Sequence, residues 1–199
     1  MLTIVIETPG DNQRKQHFLN QLKEQEISDI TFFPAIMDSK MSRRGISRSH
    51  KGCIQIAKDR GLPWVNVFED DVLFLQKGAY KRFLDIFVTE VPKDADMYFG
   101  GGYDSIFTPI TPRLAANTGK HAGMMNYIVQ EHFYDKFLEA DERYNIDHFL
   151  TAPDLTNAKC YTAYPMLSLQ VDGRSYNTGM MTEYNPEMHK RFTLWDGVG

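Results

Sequence analysis

Trp64-Val65-Asn66-Val67-Phe68-Glu69-Asp70-Asp71-Val72-Leu73-Phe74 joins two apolar runs through three consecutive carboxylates. The first run is short, rich in β-formers and preceded by the turn-forming Gly61-Leu62-Pro63, so it predicts a buried strand with an abrupt polar end. Three adjacent acids repel one another, and a cation offsets that cost. A divalent ion held by hard oxygen ligands does so and bridges to phosphate oxygens. Ligands of open α/β sheets collect beyond the carboxyl ends of strands, which is where these acids fall. Acidic tripeptides are also common as solvated surface turns. The apolar run on each side favours the cation reading, because a solvated turn rarely sits between two buried segments.

Upstream, Leu2 to Glu7 reads as a strand ending in the turn Thr8-Pro9-Gly10. Asp11 or Asn12 is placed to cap a helix whose Phe18, Leu19 and Leu22 form an apolar stripe. Ile30 to Phe33 is a second strand, and a crossover of this length implies a parallel, right-handed β-α-β unit. The basic segment Met41 to His50 leads into a helix expected to start at Ser47 or Ser49 and to stop at Gly61. Its N-terminus, beside Arg48 and Lys51, is either a candidate anion site or an ordinary capped surface helix.

Downstream, Gln76 to Val91 carries the period of an amphipathic helix, stopped by Pro92. Asp96 to Phe99 is a strand running into Gly100-Gly101-Gly102. These glycines let the backbone approach a ligand closely or simply make a flexible turn. They lack the spacing of a dinucleotide or phosphate loop. Residues 103–118 contain proline and little periodicity, and read as a loop over the site. His121 to Gln130 predicts a strand, Glu131 to Arg143 a helix, Ile146 to Leu150 a short helix, and Tyr161 to Val171 a last strand region interrupted by Pro165. The polar and aromatic tail from Gly173 is expected to wrap over the core or close the site.

The 199 residues suffice for one well-filled core. A net charge of −4 argues against broad attraction to nucleic acid or anionic membrane. No apolar run is long enough to span a bilayer. The first residues read as a strand rather than a signal peptide. Cys53 and Cys160 are expected to be buried thiols. Together these features predict a cytoplasmic protein with no integral membrane segment.

Taken in order, Ser49-His50, the strand into Glu69-Asp70-Asp71, Ile146-Asp147 and Pro165-Met166-Leu167-Ser168-Leu169-Gln170 resemble the motifs of the family 25 glycosyltransferases, a family that includes lipopolysaccharide-biosynthesis enzymes. The likeness spans roughly Leu2 to Ser175. The chain departs from the pattern at Arg43-Arg44-Gly45, where a Gly-Cys pair is common, and at Ser175-Tyr176-Asn177, where many members carry an acid. The resemblance implies a GT-A-like α/β domain over residues 1–175, with a central mixed, mostly parallel sheet flanked by helices and a C-terminal tail at 176–199. It also implies metal-dependent, inverting transfer of galactose or glucose from a UDP-sugar to a saccharide acceptor, in lipopolysaccharide or surface glycan synthesis. A lipid-linked acceptor would bring peripheral membrane association.

On that footing Asp71 is the expected ligand of Mn²⁺ or Mg²⁺, with Glu69 and Gln170 (or Asp172) helping. Glu69 and Asp70 also face ribose or donor sugar. Thr8, Pro9 and Arg14 are placed to meet the nucleotide, with Ser49 and His50 as further contacts. Asp147 is the expected general base, with His121 and His148 as rivals; a helix cap is the structural alternative for Asp147. Two other readings remain at this stage. One is a non-catalytic nucleotide-sugar or carbohydrate-binding module. The other is a nucleotidyltransferase, which no Lys-bearing glycine loop supports.

Overall fold

The computed structural model describes residues 2–103, 106–119, 121–152, 154–174 and 181–182. Strand β1 (Leu2–Glu7), helix α1 (Asn12–Glu24) and strand β2 (Ile30–Pro34) form the expected parallel unit. Asp11 caps α1 by accepting the Arg14 N–H at 3.0 Å. Helix α2 (Ser42–Asp59) then crosses to β3 (Trp64–Glu69), which pairs parallel with β1 on the side away from β2. The chain continues through β4 (Val72–Phe74), α3 (Ala79–Thr89), β5 (Met97–Phe99), β6 (Phe107–Pro109), β7 (Leu114–Asn117), β8 (Asn126–Gln130), α4 (Tyr134–Leu138), α5 (Ile146–Thr151), β9 (Cys160–Ala163) and β10 (Ser168–Gln170). β11 (Gly173–Arg174) pairs antiparallel with β12 (Met181–Thr182). The rest of the expected tail lies outside the described residues.

The main sheet has the order β2-β1-β3-β8-β5-β9-β7-β6. Only β8 and β7 run against the others, so the sheet is mixed but mostly parallel in strand direction. Its strands alternate between two cores, as the two-residue period of a strand requires. Val5, Phe68, Tyr98 and Ile128 face α1 and α3. Ile4, Val67, Phe99 and Tyr127 face α2 and α4. Both cysteines are buried free thiols, as expected.

Four expectations are corrected. Helix α2 begins at Ser42, not at Ser47 or Ser49, because Asp38 organises the turn ahead of it by accepting the N–H groups of Lys40 and Met41 at 2.9 and 3.0 Å. Ser47 and Ser49 are therefore mid-helix, and Arg48 and Lys51 turn to Glu142 instead of framing an anion site. The segment 103–118 is not all loop: β6 and β7 form a hairpin that extends the sheet beyond β9. The helix expected over 131–143 is a single 3₁₀ turn followed by the five-residue α4. Finally, the three glycines serve close packing within the protein. A Cβ on Gly101 would lie 1.9 Å from the Ser168 carbonyl oxygen, and one on Gly102 would lie 2.3 Å from the His121 ring.

Candidate active site

β1 leads into α1 on one side of the sheet and β3 is reached through α2 on the other, so the chain reverses its direction of winding between these two strands. The crevice at their carboxyl ends is the topological switch point at which α/β sheets bind ligands. A cavity of about 440 Å³ opens there. Nine of the residues singled out in the sequence line it: Thr8 and Arg14 from the β1 side, Ser49 and His50 from α2, Glu69, Asp70 and Asp71 from the end of β3, Asp147 from α5 and Gln170 from β10. His148 lines it as well.

The acids are not solvated. Asp70 and Asp71 are each only 2% exposed. Asp70 Oδ2 accepts the Thr8 N–H at 2.6 Å, which ties the end of β1 to the end of β3. One guanidinium nitrogen of Arg14 meets Asp70 Oδ1 at 3.0 Å and the other meets Asp71 Oδ2 at 2.7 Å. The Gln170 side-chain amide donates to the same Asp71 oxygen at 2.9 Å. Its place is set by antiparallel pairing of β10 with β4, which puts Gln170 opposite Val72. The remaining oxygen, Asp71 Oδ1, is buried with no hydrogen-bond partner.

Burial, with the neighbouring charge of Glu69, pushes the Asp71 carboxyl up to about 7 despite Arg14. Burial also raises Asp70, and the Thr8 and Arg14 contacts only partly offset it. Glu69 moves the other way: burial, the largest single influence, opposes its charge, but the hydrogen bond and charge of His50 together with the charge of Arg14 outweigh it and lower the carboxyl. His50 Nε2 donates to Glu69 Oε1 at 3.0 Å, and His50 Nδ1 lies 2.7 Å from the Tyr127 hydroxyl. Tyr127, His50 and Glu69 thus form a chain of contacts from the buried face of the sheet to the cavity.

Asp147 approaches from the β8 side. Its Oδ2 accepts the Gly123 N–H at 3.0 Å and its Oδ1 accepts the His148 N–H at 2.8 Å, while the residue stays half-buried on the cavity wall. It is not the helix cap, a position held by Asn145.

Three sequence candidates are placed elsewhere. Pro9 is exposed and lies outside the cavity lining. Asp172 is exposed. His121 is completely buried, stacked on Phe99 with ring centroids 4.0 Å apart, and its Nε2 lies 3.0 Å from the Gly123 carbonyl oxygen. Burial lowers its pKa to about 3, and the residue is not part of the cavity lining. Ser49 lines the cavity, but its hydroxyl is engaged within the protein. It donates to the Gly45 carbonyl at 2.9 Å and accepts the Ile36 N–H at 2.8 Å.

The sequence reading missed the wall formed by residues 35–38. Ile36, Met37 and Asp38 line the cavity, with Arg43 and Ile46 of α2 beside them. The signal was Asp38-Ser39 ahead of a helix, a standard start signature.

Among the described residues, no three His, Cys, Asp or Glu side chains converge into a protein-only metal cage. The donor set does fit an ion shared with substrate. Mg²⁺-type ions are commonly held by one or two carboxylates plus substrate phosphates, and Asp71 offers a buried carboxylate oxygen with no other partner.

No protein-family model and no curated protein sequence matches the chain. Among solved structures, the catalytic domain of Drosophila β1,4-galactosyltransferase 7 in complex with xylobiose matches with a TM-score of 0.52, covering 96% of this chain and 80% of that one at 14% identity. A glycosyltransferase involved in glycosylation of the major capsid of PBCV-1 matches at 0.49, covering 81% and 80% at 11% identity. A mutant of the Drosophila enzyme in complex with manganese, UDP-Gal and xylobiose also matches at 0.49, covering 96% and 80% at 12% identity. The first likeness establishes the fold. This chain has the GT-A-like α/β fold.

Proposed function

We propose that the chain is a glycosyltransferase of the family 25 type. In this reading it moves a hexose, galactose or glucose, from a UDP-linked donor to a saccharide acceptor with inversion, in cytoplasmic synthesis of lipopolysaccharide or another surface glycan. A lipid-linked acceptor would hold it at the membrane periphery. The observation that carries the reading is the buried Asp70–Asp71 pair, with its unpartnered oxygen, at the switch-point cavity that Asp147 also lines. The likeness in fold to a galactosyltransferase supports it.

The chemistry has two demands. The acceptor hydroxyl must lose a proton as its oxygen attacks the anomeric carbon, and the bond from that carbon to the diphosphate must break with its electron pair leaving on the diphosphate. Asp147 takes the proton, and its two backbone N–H contacts hold the carboxylate in place. A single displacement from the face opposite the leaving group inverts the centre. Thr8 fixes Asp70, while Gln170 fixes Asp71 for the cation. Asp71 would hold a divalent ion, which when bound would supply Lewis-acid neutralisation of the leaving diphosphate. His50 aims Glu69 toward the ribose or donor sugar.

Two measurements test this. Millimolar UDP with Mn²⁺ should raise the melting temperature by mass action on the native state, and Asp71→Ala should remove the shift. Asp147→Asn should keep the shift yet lower UDP release from UDP-galactose or UDP-glucose by about 10²-fold or more. No thermal shift in the unaltered chain overturns the donor assignment. Binding without any UDP release identifies a non-catalytic module.

A further inference from the structure

Resting on that donor and metal reading, we infer that Arg14 is an exchangeable counterion. Without donor it holds Asp70 and Asp71; when a diphosphate enters, its guanidinium passes to the phosphate oxygens and leaves Asp71 to the divalent cation.

The geometry carries this in three steps. Arg14 spreads its two terminal nitrogens over two different carboxylates, at 3.0 and 2.7 Å, so it already occupies the position a bridging cation would take. Asp70 Oδ2 is committed to Thr8, Asp70 Oδ1 to Arg14, and Asp71 Oδ2 to Gln170 as well as Arg14, so of the oxygens of these two aspartates Asp71 Oδ1 is the one left, among the described residues, to a second cation. A dipositive ion on that oxygen would face a guanidinium on the same carboxylate, within the few ångströms over which like charges repel strongly in a partly buried site. The two cations therefore compete unless the arginine moves.

Arg14 is built to move. Its backbone is fixed in the first turn of α1, where its N–H is capped by Asp11, so its long side chain can swing without disturbing the helix. That side chain is 20% exposed and borders the cavity. Its planar fork matches phosphate oxygens as well as it matches carboxylates. Arginine exchange makes donor and metal cooperative: a diphosphate that draws Arg14 away removes the competitor of the metal, and by linkage the metal favours the diphosphate.

Titrating Mn²⁺ by electron paramagnetic resonance, with and without UDP, tests the exchange in the unaltered chain, Arg14→Gln and Arg14→Lys. Arg14→Gln should bind Mn²⁺ alone about fivefold tighter or more, the lower end of an ordinary coupling free energy. It should bind UDP more weakly, and UDP should tighten Mn²⁺ less than in the unaltered chain. Arg14→Lys keeps the charge but loses the fork, and should fall between the two; it also serves if the glutamine variant does not fold. Equal or weaker Mn²⁺ binding by variants that do bind the ion overturns the exchange and makes Arg14 a permanent structural partner. Absence of Mn²⁺ binding in all three chains, with and without UDP, overturns both the exchange and the metal-dependent transferase.

Discussion

Arg14 and Arg113 each bridge two carboxylates, the first at the end of β3 and the second on the outer side of α3. Arg113 reaches Asp85 at 2.6 Å and also Glu90, and Thr111 donates to the same glutamate at 2.5 Å, so the network ties the β6–β7 hairpin to α3. There the Thr111 hydrogen bond, with Arg113, holds the Glu90 carboxyl below its ordinary range. At the end of β3 the same kind of arginine fails to do this, and Asp71 is pushed up to about 7. The difference is water. The Glu90 side chain is 19% exposed and its neighbour Asp85 53%, whereas the side chains of Asp70 and Asp71 are 3% exposed. Near the surface the arginine adds to hydration; in the crevice it must replace hydration for two acids at once. The fold thus maintains an unfavourable charge density in one place, and that place lines the cavity.

The largest expected contrast between the two sites is in turnover. Asp71→Asn should reduce UDP release by about 10³-fold, the size of effect found when electrostatic support of a transition state is removed, while Glu90→Gln should leave it unchanged. Equal losses would mean that the β3 acids serve structure as Glu90 does.

A smaller contrast lies in the pH dependence of stability, measured by urea unfolding with EDTA present. The folded-state pKa of Asp71 is raised, so its contribution is fully present below its ordinary value of 3.8 and is lost as pH rises through about 7. The stability of Asp71→Asn relative to the unaltered chain should therefore increase from pH 4 to pH 8. The pKa of Glu90 is lowered, so its contribution is present above its ordinary value of 4.5 and is lost as pH falls through the folded value. Glu90→Gln should accordingly cost stability at pH 7 and progressively less on acidification. Parallel pH profiles for the two variants would remove the distinction.

The smallest effect should come from Arg113→Gln, since Arg113 is itself 35% exposed and its partner Asp85 53% exposed. A change in melting temperature within about 2 °C is expected, as for most exposed ion pairs.

What could be read from the sequence follows the same division. β1 and β3 are legible because each is a short β-rich run buried on both faces, and the abrupt end of β3 places the acids beyond the carboxyl end of a strand; that this end is a switch point follows only from the strand order. Asp147 and Gln170 reach the same cavity through motif resemblance, since nothing in their local sequence distinguishes them. The hairpin of β6 and β7 was illegible: its strands have three and four residues, one ends at Pro109, and most of β6 is exposed, so no alternation develops. Ser47 and Ser49 look like caps in the sequence, whereas the turn is made by Asp38, which accepts from the Lys40 and Met41 backbone and also pairs with Arg44. The role of Arg14 as partner of both aspartates is a contact between distant residues, and neither end carries a sign of it. His121 gave no local hint of burial, since its surroundings are supplied by Phe99 and Thr151 from other elements.

Gly45 has a wider consequence. A Cβ there would lie 2.3 Å from the Ile36 carbonyl oxygen, so only glycine lets α2 lie flush against residues 36–38. With the Ser49 hydroxyl bonded to the backbone on both sides of that seam, one lip of the crevice is set by Gly45, Ser49 and the main chain they meet. Met37 and Arg43 project from a frame that does not depend on them. Substituting either position should therefore change the lining of the cavity while leaving this seam in place.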